Sequence, residues 1–452
     1  MKMYRDKNII VIGMARSGVA IAKLLHRLGA HVIVNDRKPR EECSEAAELE
    51  ELGIAVICGG HPEDLIHDQV DLLVKNPGIP YHIKPIEDAI ALGISVVTEV
   101  EIAGAISQAP IIGITGSNGK TTTTTLVGEI LKEDEQNVVV AGNIGQAVAD
   151  VVADLTADQW LVTELSSFQL KGTETFRPQI GALLNIYPAH LDYHQTIADY
   201  RESKLKLFAN QTAEDIAILN ADHEVCVEIG PQISSRIYWF SRQKEVPQGV
   251  FVHEGWIIFR NDGVDKKIAP IACIALQGDC NLENALAAVL IALQAGCKTE
   301  SIIRVLKRFT GVEHRLEFVK EINGVKYIND SKATNAQAAR TGLTSFDARI
   351  VWIAGGLDRG VTFDELIPVV HSRVRAVIAY GEAKKRFSFC AKQAEVEVIT
   401  EVKDVVEAVQ KAYEIAHHGE IVLLSPACAS WDMYQTFEER GSIFKQAVHT
   451  LE

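Results

Sequence analysis

The densest run of chemistry-bearing residues in the chain is Ile111–Thr125, I-I-G-I-T-G-S-N-G-K-T-T-T-T-T. Two branched apolar residues read as the end of a buried strand. Gly113, Gly116 and Gly119 mark a glycine-rich turn, and Lys120-Thr121 open a threonine run that continues as an amphipathic helix through Leu131. That order of elements suits phosphate. Glycines let backbone N–H groups close on phosphate oxygens, a helix N-terminus favours anions, Lys120 reaches terminal phosphates, and the Thr121 hydroxyl can ligate Mg²⁺. Ile114 stands where the strict G-x-x-x-x-G-K-[ST] pattern has its first glycine. The reading therefore rests on strand, turn, Gly-Lys-Thr and helix occurring in order, and it points to ATP or GTP.

Other candidates follow apolar strands in the same way. Val138–Ala141 runs into G-N-I-G, which contains Asn143. Trp160–Thr163 runs into Glu164, a candidate Mg²⁺ ligand whose alternative is a helix N-terminal carboxylate satisfied by backbone amides. Ile180–Leu184 runs into N-I-Y-P-A-H-L-D-Y-H, where the place of His190 after a strand lifts it above a core histidine. Tyr200–Phe208 reads as a helix with Lys204 and Lys206 on different faces, and the residues alone single out neither. Asn281 and Asn284 enter the apolar helix Gly278–Gly296; a helix cap would explain one of them and a nucleotide contact both.

The elements that must hold these residues read as α/β throughout, in three domains: 1–98, 99–309 and 310–452. In the first, strand Asn8–Ile12, the turn G-M-A-R-S-G, a helix through Leu28 and strand Ala30–Asn35 ending at Asp36 resemble a Rossmann opening. Asp36 would suit a ribose, and Arg37 and Lys38 could equally hold a phosphate. Leu72–Lys75 then enters N-P-G-I-P at a strand's carboxyl end, where ligands gather. The second domain is a central P-loop ATPase-type α/β domain, with Ile237–Leu276 as a small antiparallel annex. The third is a doubly wound Rossmann-like domain: Tyr327–Asn329 enters D-S-K-A-T-N, Ile350–Ala354 enters G-G-L-D-R-G, and Ile421–Leu424 enters S-P-A-C-A-S-W-D.

At 452 residues the chain has ample length for several cores, and 47% hydrophobic with 23% charged residues is a globular composition. A net charge of −15 argues against nucleic acid. The first apolar run is too short for a signal peptide, and the longest, Ile90–Ile114, is broken by Glu99 and Glu101, so no membrane span is expected. The eight scattered cysteines have no metal spacing and read as buried thiols. A cytoplasmic protein is expected.

Taken together these stretches resemble the Mur ligase family of bacterial cell-wall synthesis, over essentially the whole chain. T-G-S-N-G-K-T alone would admit any member or the related folylpolyglutamate synthetases. N-P-G-I-P, G-N-I-G, H-R-L-E, N-D-S-K-A-T-N and L-S-P-A-C-A-S-W-D, in this order, are similar to the branch that adds D-glutamate. The resemblance implies an ATP-dependent amide ligase, acting as a monomer on UDP-MurNAc-L-Ala, D-glutamate and ATP. ATP would phosphorylate the muramoyl-alanine carboxylate, and the D-glutamate amine would attack the acyl phosphate. By the family pattern Gly116, Ser117, Asn118, Gly119, Lys120, Thr121 and Thr122 bind the ATP phosphates, with Asn281, Arg315 and Asp330 also on ATP. Thr121, Glu164, His190 and a carbamylated Lys204 would hold two Mg²⁺ ions. Asn143 would lie near the reacting phosphate. Ser17, Asp36, Arg37, Asn76, Pro77 and Gly78 would hold the UDP moiety, so the Rossmann look means UDP and not a nicotinamide. Lys332, Thr334, Ser430 and Phe437 match contacts to the transferred phosphate and D-glutamate.

One departure stands out. Where some relatives place a lysine after the G-G of the third domain, Arg359 occurs here in a differently spaced G-G-L-D-R-G loop, and a guanidinium can still hold a carboxylate bidentately. A different Mur or folate-type ligase would share the middle domain but not Asn329–Asn335 or Leu424–Asp432. A nucleotide switch would have no need of the third domain, and nothing downstream supports hydride transfer. Hinges are expected near Thr98 and near Phe309–Gly311.

Overall fold

The computed structural model describes residues 3–276, 278–360 and 362–451. The chain forms two compact units, Met1–Phe309 and Thr310–Glu452. The first unit holds two sheets. Its N-terminal sheet contains β1 (Asn8–Ile12), β2 (His31–Asp36), β3 (Ala55–Cys58), β4 (Leu72–Lys75) and β5 (Val96–Val97). They run in the order β3-β2-β1-β4-β5, all parallel. The order reverses at β1, so the turns after β1 and β4 flank the crevice in which such sheets bind ligands.

The second sheet has nine strands: β6 (Ile111–Thr115), β7 (Asn137–Gly142), β8 (Gln159–Glu164), β9 (Ile180–Leu183), β10 (Ile216–Asn220), β11 (Arg236–Ser241), β12 (Gly249–His253), β13 (Trp256–Asn261) and β14 (Val264–Pro270). Their order is β14-β13-β12-β11-β10-β9-β6-β8-β7. Every residue of β6 is buried, as a central parallel strand covered on both faces requires. The expected small antiparallel annex over Ile237–Leu276 is corrected here. Its strands extend the central sheet: β10, β11 and β12 pair in parallel, and only β12-β13-β14 are antiparallel. Gly249 permits the close parallel pairing of β12 with β11; at φ +130 its missing Cβ would lie 1.9 Å from the Trp239 carbonyl.

Helix Asp279–Gln294 is buried continuously from Asn284 to Ala292, packed between helix Lys120–Glu133 and the sheet, which explains its apolar surface all round. Helix Thr299–Arg308 is amphipathic and ties back through Arg304 and Arg308 to Glu133, each at 2.5 Å. Among the described residues no helix is long and apolar enough to cross a membrane. The eight cysteines are free thiols; Cys280 is exposed and Cys58 and Cys273 are partly so, contrary to the expectation that all are buried.

The Thr98 junction is not a loose linker. The Thr98 N–H donates to Gly172 O (2.9 Å) and its hydroxyl to Gln169 O (2.7 Å). One turn on, the Glu101 carboxylate accepts the backbone N–H groups of Glu174, Thr175 and Phe176 at 2.9–3.0 Å. Glu101→Ala would remove the shared acceptor of three backbone N–H groups, that of Phe176 buried and the other two partly so, and is expected to lower unfolding free energy by about 2 kcal/mol. Urea unfolding checks this; a loss below about 0.5 kcal/mol would mean that water replaces the carboxylate.

The second unit carries one sheet: β15 (Glu317–Ile322), β16 (Val325–Asn329), β17 (Ile350–Gly355), β18 (Val374–Tyr380), β19 (Val398–Glu401) and β20 (Ile421–Ala427). The order is β15-β16-β20-β17-β18-β19, parallel except for the β15 edge. The central strands β16, β20 and β17 deliver three polar loops to their carboxyl ends, with helices on both faces.

Candidate active site

The glycine turn after β6 is braced from β9. The Asn118 N–H donates to Asn185 Oδ1 (2.9 Å), Asn185 Nδ2 returns a bond to Asn118 O (3.2 Å), and the Ser117 N–H donates to Asn185 O (3.0 Å). The Ser117 hydroxyl meets the Tyr200 hydroxyl at 2.9 Å. Gly119 has φ +83, and a Cβ there would sit 2.1 Å from Asn284 Oδ1, so only glycine fits. Lys120 Nζ folds back onto Gly116 O (2.8 Å) and Ser117 O (2.9 Å). Thr121 is buried and Thr122 partly so at the start of the helix. Neither Asn281 nor Asn284 caps helix Asp279–Gln294: its N-cap is Gly278, without a side-chain cap. Asn284 Nδ2 donates to Asn281 Oδ1 (3.3 Å) beside the glycine turn.

Beside this turn lies a buried carboxylate. Glu164 ends β8 at 2% exposure; Oε1 accepts Asn143 Nδ2 (2.8 Å), while Oε2 has no hydrogen-bond partner among the described residues. Backbone amides therefore do not satisfy it, and a buried oxygen left so is costly unless a cation meets it. Gly142, at φ +113, lets Asn143 approach; a Cβ there would be 2.5 Å from Glu164 O. Lys204, 1% exposed, donates to Gly116 O (2.8 Å) and lies 4.8 Å from the centre of the Tyr200 ring. Burial, then the charge of Lys120, hold its amine well below the usual lysine range, and Glu164 opposes them. Lys206 points elsewhere, to Lys171 O and Thr173 O at 2.8 Å each. His190 is exposed at φ +56, its ring 5.0 Å from Phe168 and 6.4 Å from Tyr200.

Asn185, Tyr200 and Lys75 went unmarked in the sequence reading. Asn185 heads the same strand-end stretch as His190, and Tyr200 precedes Lys204 by one helical turn, which was the available signal.

At the N-terminal sheet, Asp36 braces the first glycine turn: Oδ2 accepts the Met14 N–H (2.7 Å) and Oδ1 the Lys38 N–H (2.9 Å). A Cβ on Gly18 would stand 1.9 Å from Gly13 O and 3.5 Å from Asn76 Nδ2, so the turns after β1 and β4 are in contact. Asn76 Nδ2 is buried without a partner among the described residues. Ser17 is half-buried at the helix start, while Arg37 and Gly78 are exposed. Pro77 O accepts Lys75 Nζ (2.9 Å) and the Tyr193 hydroxyl (3.1 Å).

In the second unit Asp330 follows β16, 5% exposed, accepting the Ser425 hydroxyl (2.8 Å) and the Leu316 N–H (3.3 Å). Burial raises its carboxyl to about 7, against these bonds and the charge of Arg315. Lys332 Nζ lies 6.0 Å from the centre of the Phe437 ring. The fully buried Arg440 holds this loop to the next, donating to Ser331 O (2.9 Å) and Cys428 O (3.1 Å), two residues before buried Ser430. Thr334 is partly buried. Arg359 is exposed, its guanidinium 5.2 Å from the Trp431 ring.

A glycine turn opening a helix, a buried carboxylate beside it and two further α/β sheets are the build of one known class of nucleotide-using enzymes. The Mur ligase MurD-like N-terminal domain matches residues 7–98, the Mur ligase middle domain residues 114–292 and the Mur ligase glutamate ligase domain residues 314–428. The chain belongs to the Mur ligase family. It is 51% identical over 449 residues to the UDP-N-acetylmuramoylalanine--D-glutamate ligase of Geobacillus sp. (strain WCH70), covering 99% of this chain and 98% of that one. To the enzyme of the same name from Geobacillus kaustophilus (strain HTA426) it is 49% identical over 451 residues, covering 100% and 99%. Among solved structures, UDP-N-acetylmuramate-alanine ligase MurC from Thermotoga maritima shares the fold with a TM-score of 0.55 at 18% identity, over 98% of this chain and 99% of that one. The MurF ligase of Thermotoga maritima in complex with ADP does so with a TM-score of 0.55 at 17% identity, over 98% and 96%.

Proposed function

We infer that this chain is an ATP-dependent amide ligase that joins D-glutamate to UDP-N-acetylmuramoyl-L-alanine through an acyl phosphate, releasing ADP and phosphate, in the synthesis of peptidoglycan precursor. The observation that carries the chemistry is Glu164, buried with one unpaired oxygen beside a Gly-Lys-Thr turn and next to Asn143. The choice of substrates is supported by full-length likeness to enzymes named for them.

A carboxylate is a poor electrophile, so the γ-phosphate is transferred to it to create a leaving group. The D-glutamate amine then attacks the acyl carbon, the C–N bond forms, and phosphate departs with the C–O bond. Such a site must neutralise phosphate charge and hold its reactants in line. In this reading residues 116–122, Asn281, Arg315 and Asp330 bind ATP. Ser17, Asp36, Arg37 and the Asn76–Pro77–Gly78 turn bind the UDP-sugar. Lys332, Thr334, Arg359, Ser430 and Phe437 serve the incoming D-glutamate and the transferred phosphate. The chain then divides by role at 98 and 309, into UDP-substrate, ATP and amino-acid domains, and works as a cytoplasmic monomer.

The orphaned Glu164 oxygen fits a cation, and Thr121, Glu164, His190 and Lys204 would hold two Mg²⁺ ions, which supply charge neutralisation at the phosphates. Lys204 would serve as a carbamate: a neutral amine adds to carbon dioxide with loss of one proton, and its burial favours the neutral form.

The test is phosphate release from ATP with UDP-N-acetylmuramoyl-L-alanine present and amino acids offered singly. Release that requires D-glutamate, and not L-alanine, L-lysine or diaminopimelate, is expected. Release with another amino acid would overturn the specificity assigned to the second unit.

A further inference from the structure

Lys75 closes β4 at 1% exposure, yet among the described residues its hydrogen bonds go to uncharged oxygens: Pro77 O (2.9 Å), Asn76 O (3.4 Å) and the Tyr193 hydroxyl (3.0 Å). The rings of Tyr81 and Tyr193 face its ammonium, with centroids 4.8 Å and 5.6 Å away. Two other charges act on it. Glu99, from helix Glu99–Ile106, is itself bonded by Gln169 Nε2 (3.0 Å), and Lys171 is paired with Asp199 (2.5 Å). The Tyr193 hydroxyl donates to Pro77 O (3.1 Å), and its ring packs on Phe168 (4.5 Å), whose other neighbour is His190 (5.0 Å). One buried cation thus joins the turn after β4, on the N-terminal sheet, to the segment of the central sheet that carries His190.

We propose that Lys75 is a positioning residue for the UDP-sugar substrate, pinning the Asn76–Pro77–Gly78 turn to Tyr193 so that the substrate's two ends are held at a fixed separation. This rests on the assignment of that turn to the UDP-sugar made above. Glu99 acts on Lys75 through space without a hydrogen bond to it among the described residues; an ammonium so buried is costly, and an apolar side chain would close the strand at less cost. What an apolar residue would not supply is three directed N–H bonds to a turn and a hydroxyl that come from different sheets. Reacting groups tolerate little error in placement: a shift of about 1 Å can cost a hundredfold in rate.

The experiment compares wild type, Lys75→Met, Lys75→Arg and Tyr193→Phe in steady-state phosphate release, varying each substrate in turn. Tyr193→Phe removes one oxygen and keeps the ring, so it reports even where Lys75→Met folds poorly. KM for UDP-N-acetylmuramoyl-L-alanine is expected to rise about tenfold in Lys75→Met and Tyr193→Phe, with KM for ATP and D-glutamate unchanged and partial recovery in Lys75→Arg. Burial pushes the Lys75 amine down to about 7, opposed by Glu99 and aided by Lys171. The wild-type KM for the UDP-sugar should therefore rise as pH passes through 7, and Lys75→Met should lack that break. Unchanged KM in both variants, or an equal change for all three substrates, overturns the proposal. A wild type inactive with this UDP-sugar overturns the functional reading and takes the proposal with it.

Discussion

Lys204→Met is expected to cut D-glutamate-dependent phosphate release by about 10³-fold while leaving the protein folded. Methionine fills much of the same volume, and Gly116 O, which accepts Lys204 Nζ, keeps Lys120 Nζ as a donor at 2.8 Å. Stability follows from the depressed lysine. The unfolded chain holds a proton on this amine up to about pH 10.4, whereas the folded chain releases it well below that. Wild-type stability should therefore rise with pH across the window between the two values, and Lys204→Met should lose this part of the slope. Lys75, depressed to about 7, contributes a similar slope above that pH in both proteins. Urea unfolding at neutral and alkaline pH reads the difference. Carbon-13-labelled bicarbonate should give a carbamate resonance in wild type that the variant lacks. A variant that keeps a tenth of wild-type activity would remove Lys204 from the chemistry.

Why Lys204 and not Lys206 illustrates what was legible in the chain. Their spacing places them on different faces of a helix, but which face turns inward depends on β6 and Tyr200, contacts that a single helix does not encode. Local motifs read well because their chemistry is local. Gly119 needs its left-handed backbone, and β6 needs an unbroken apolar run, whatever the rest of the chain does. The alternation of strand and helix likewise gave three α/β sheets, consistent with the family and its solved relatives. Pairing partners were harder. Ile216–Asn220, now β10, is a short apolar run after an acidic turn, and without it the strands beyond read as a small antiparallel annex. Lys75 looked like any lysine at a strand end. Its partners come partly from far along the chain: Tyr193, 118 residues later, accepts its hydrogen bond.

Glu164→Gln tests the carboxylate with the smallest change of shape. The amide oxygen can still accept Asn143 Nδ2, and the amide nitrogen takes the place of the unpaired Oε2. If the buried charge is there to meet a cation, turnover should fall by about 10²–10³-fold, and the Mg²⁺ needed for half-maximal activity should rise about tenfold. Folding stability should hold or increase, because a carboxylate oxygen without a partner no longer has to be desolvated. Glu164→Asp separates charge from reach. It keeps the negative charge but shortens the side chain, so it should recover part of the Mg²⁺ response and little of the turnover. The bland alternative is that Glu164 only braces Asn143 and the Gly142 turn. In that case the glutamine variant, which preserves the Asn143 bond, would work nearly as well as wild type. Asn143→Ala would then be the more damaging change, with no shift in Mg²⁺ requirement. The two accounts predict opposite rankings of the same variants, and Mg²⁺ titrations of phosphate release decide between them.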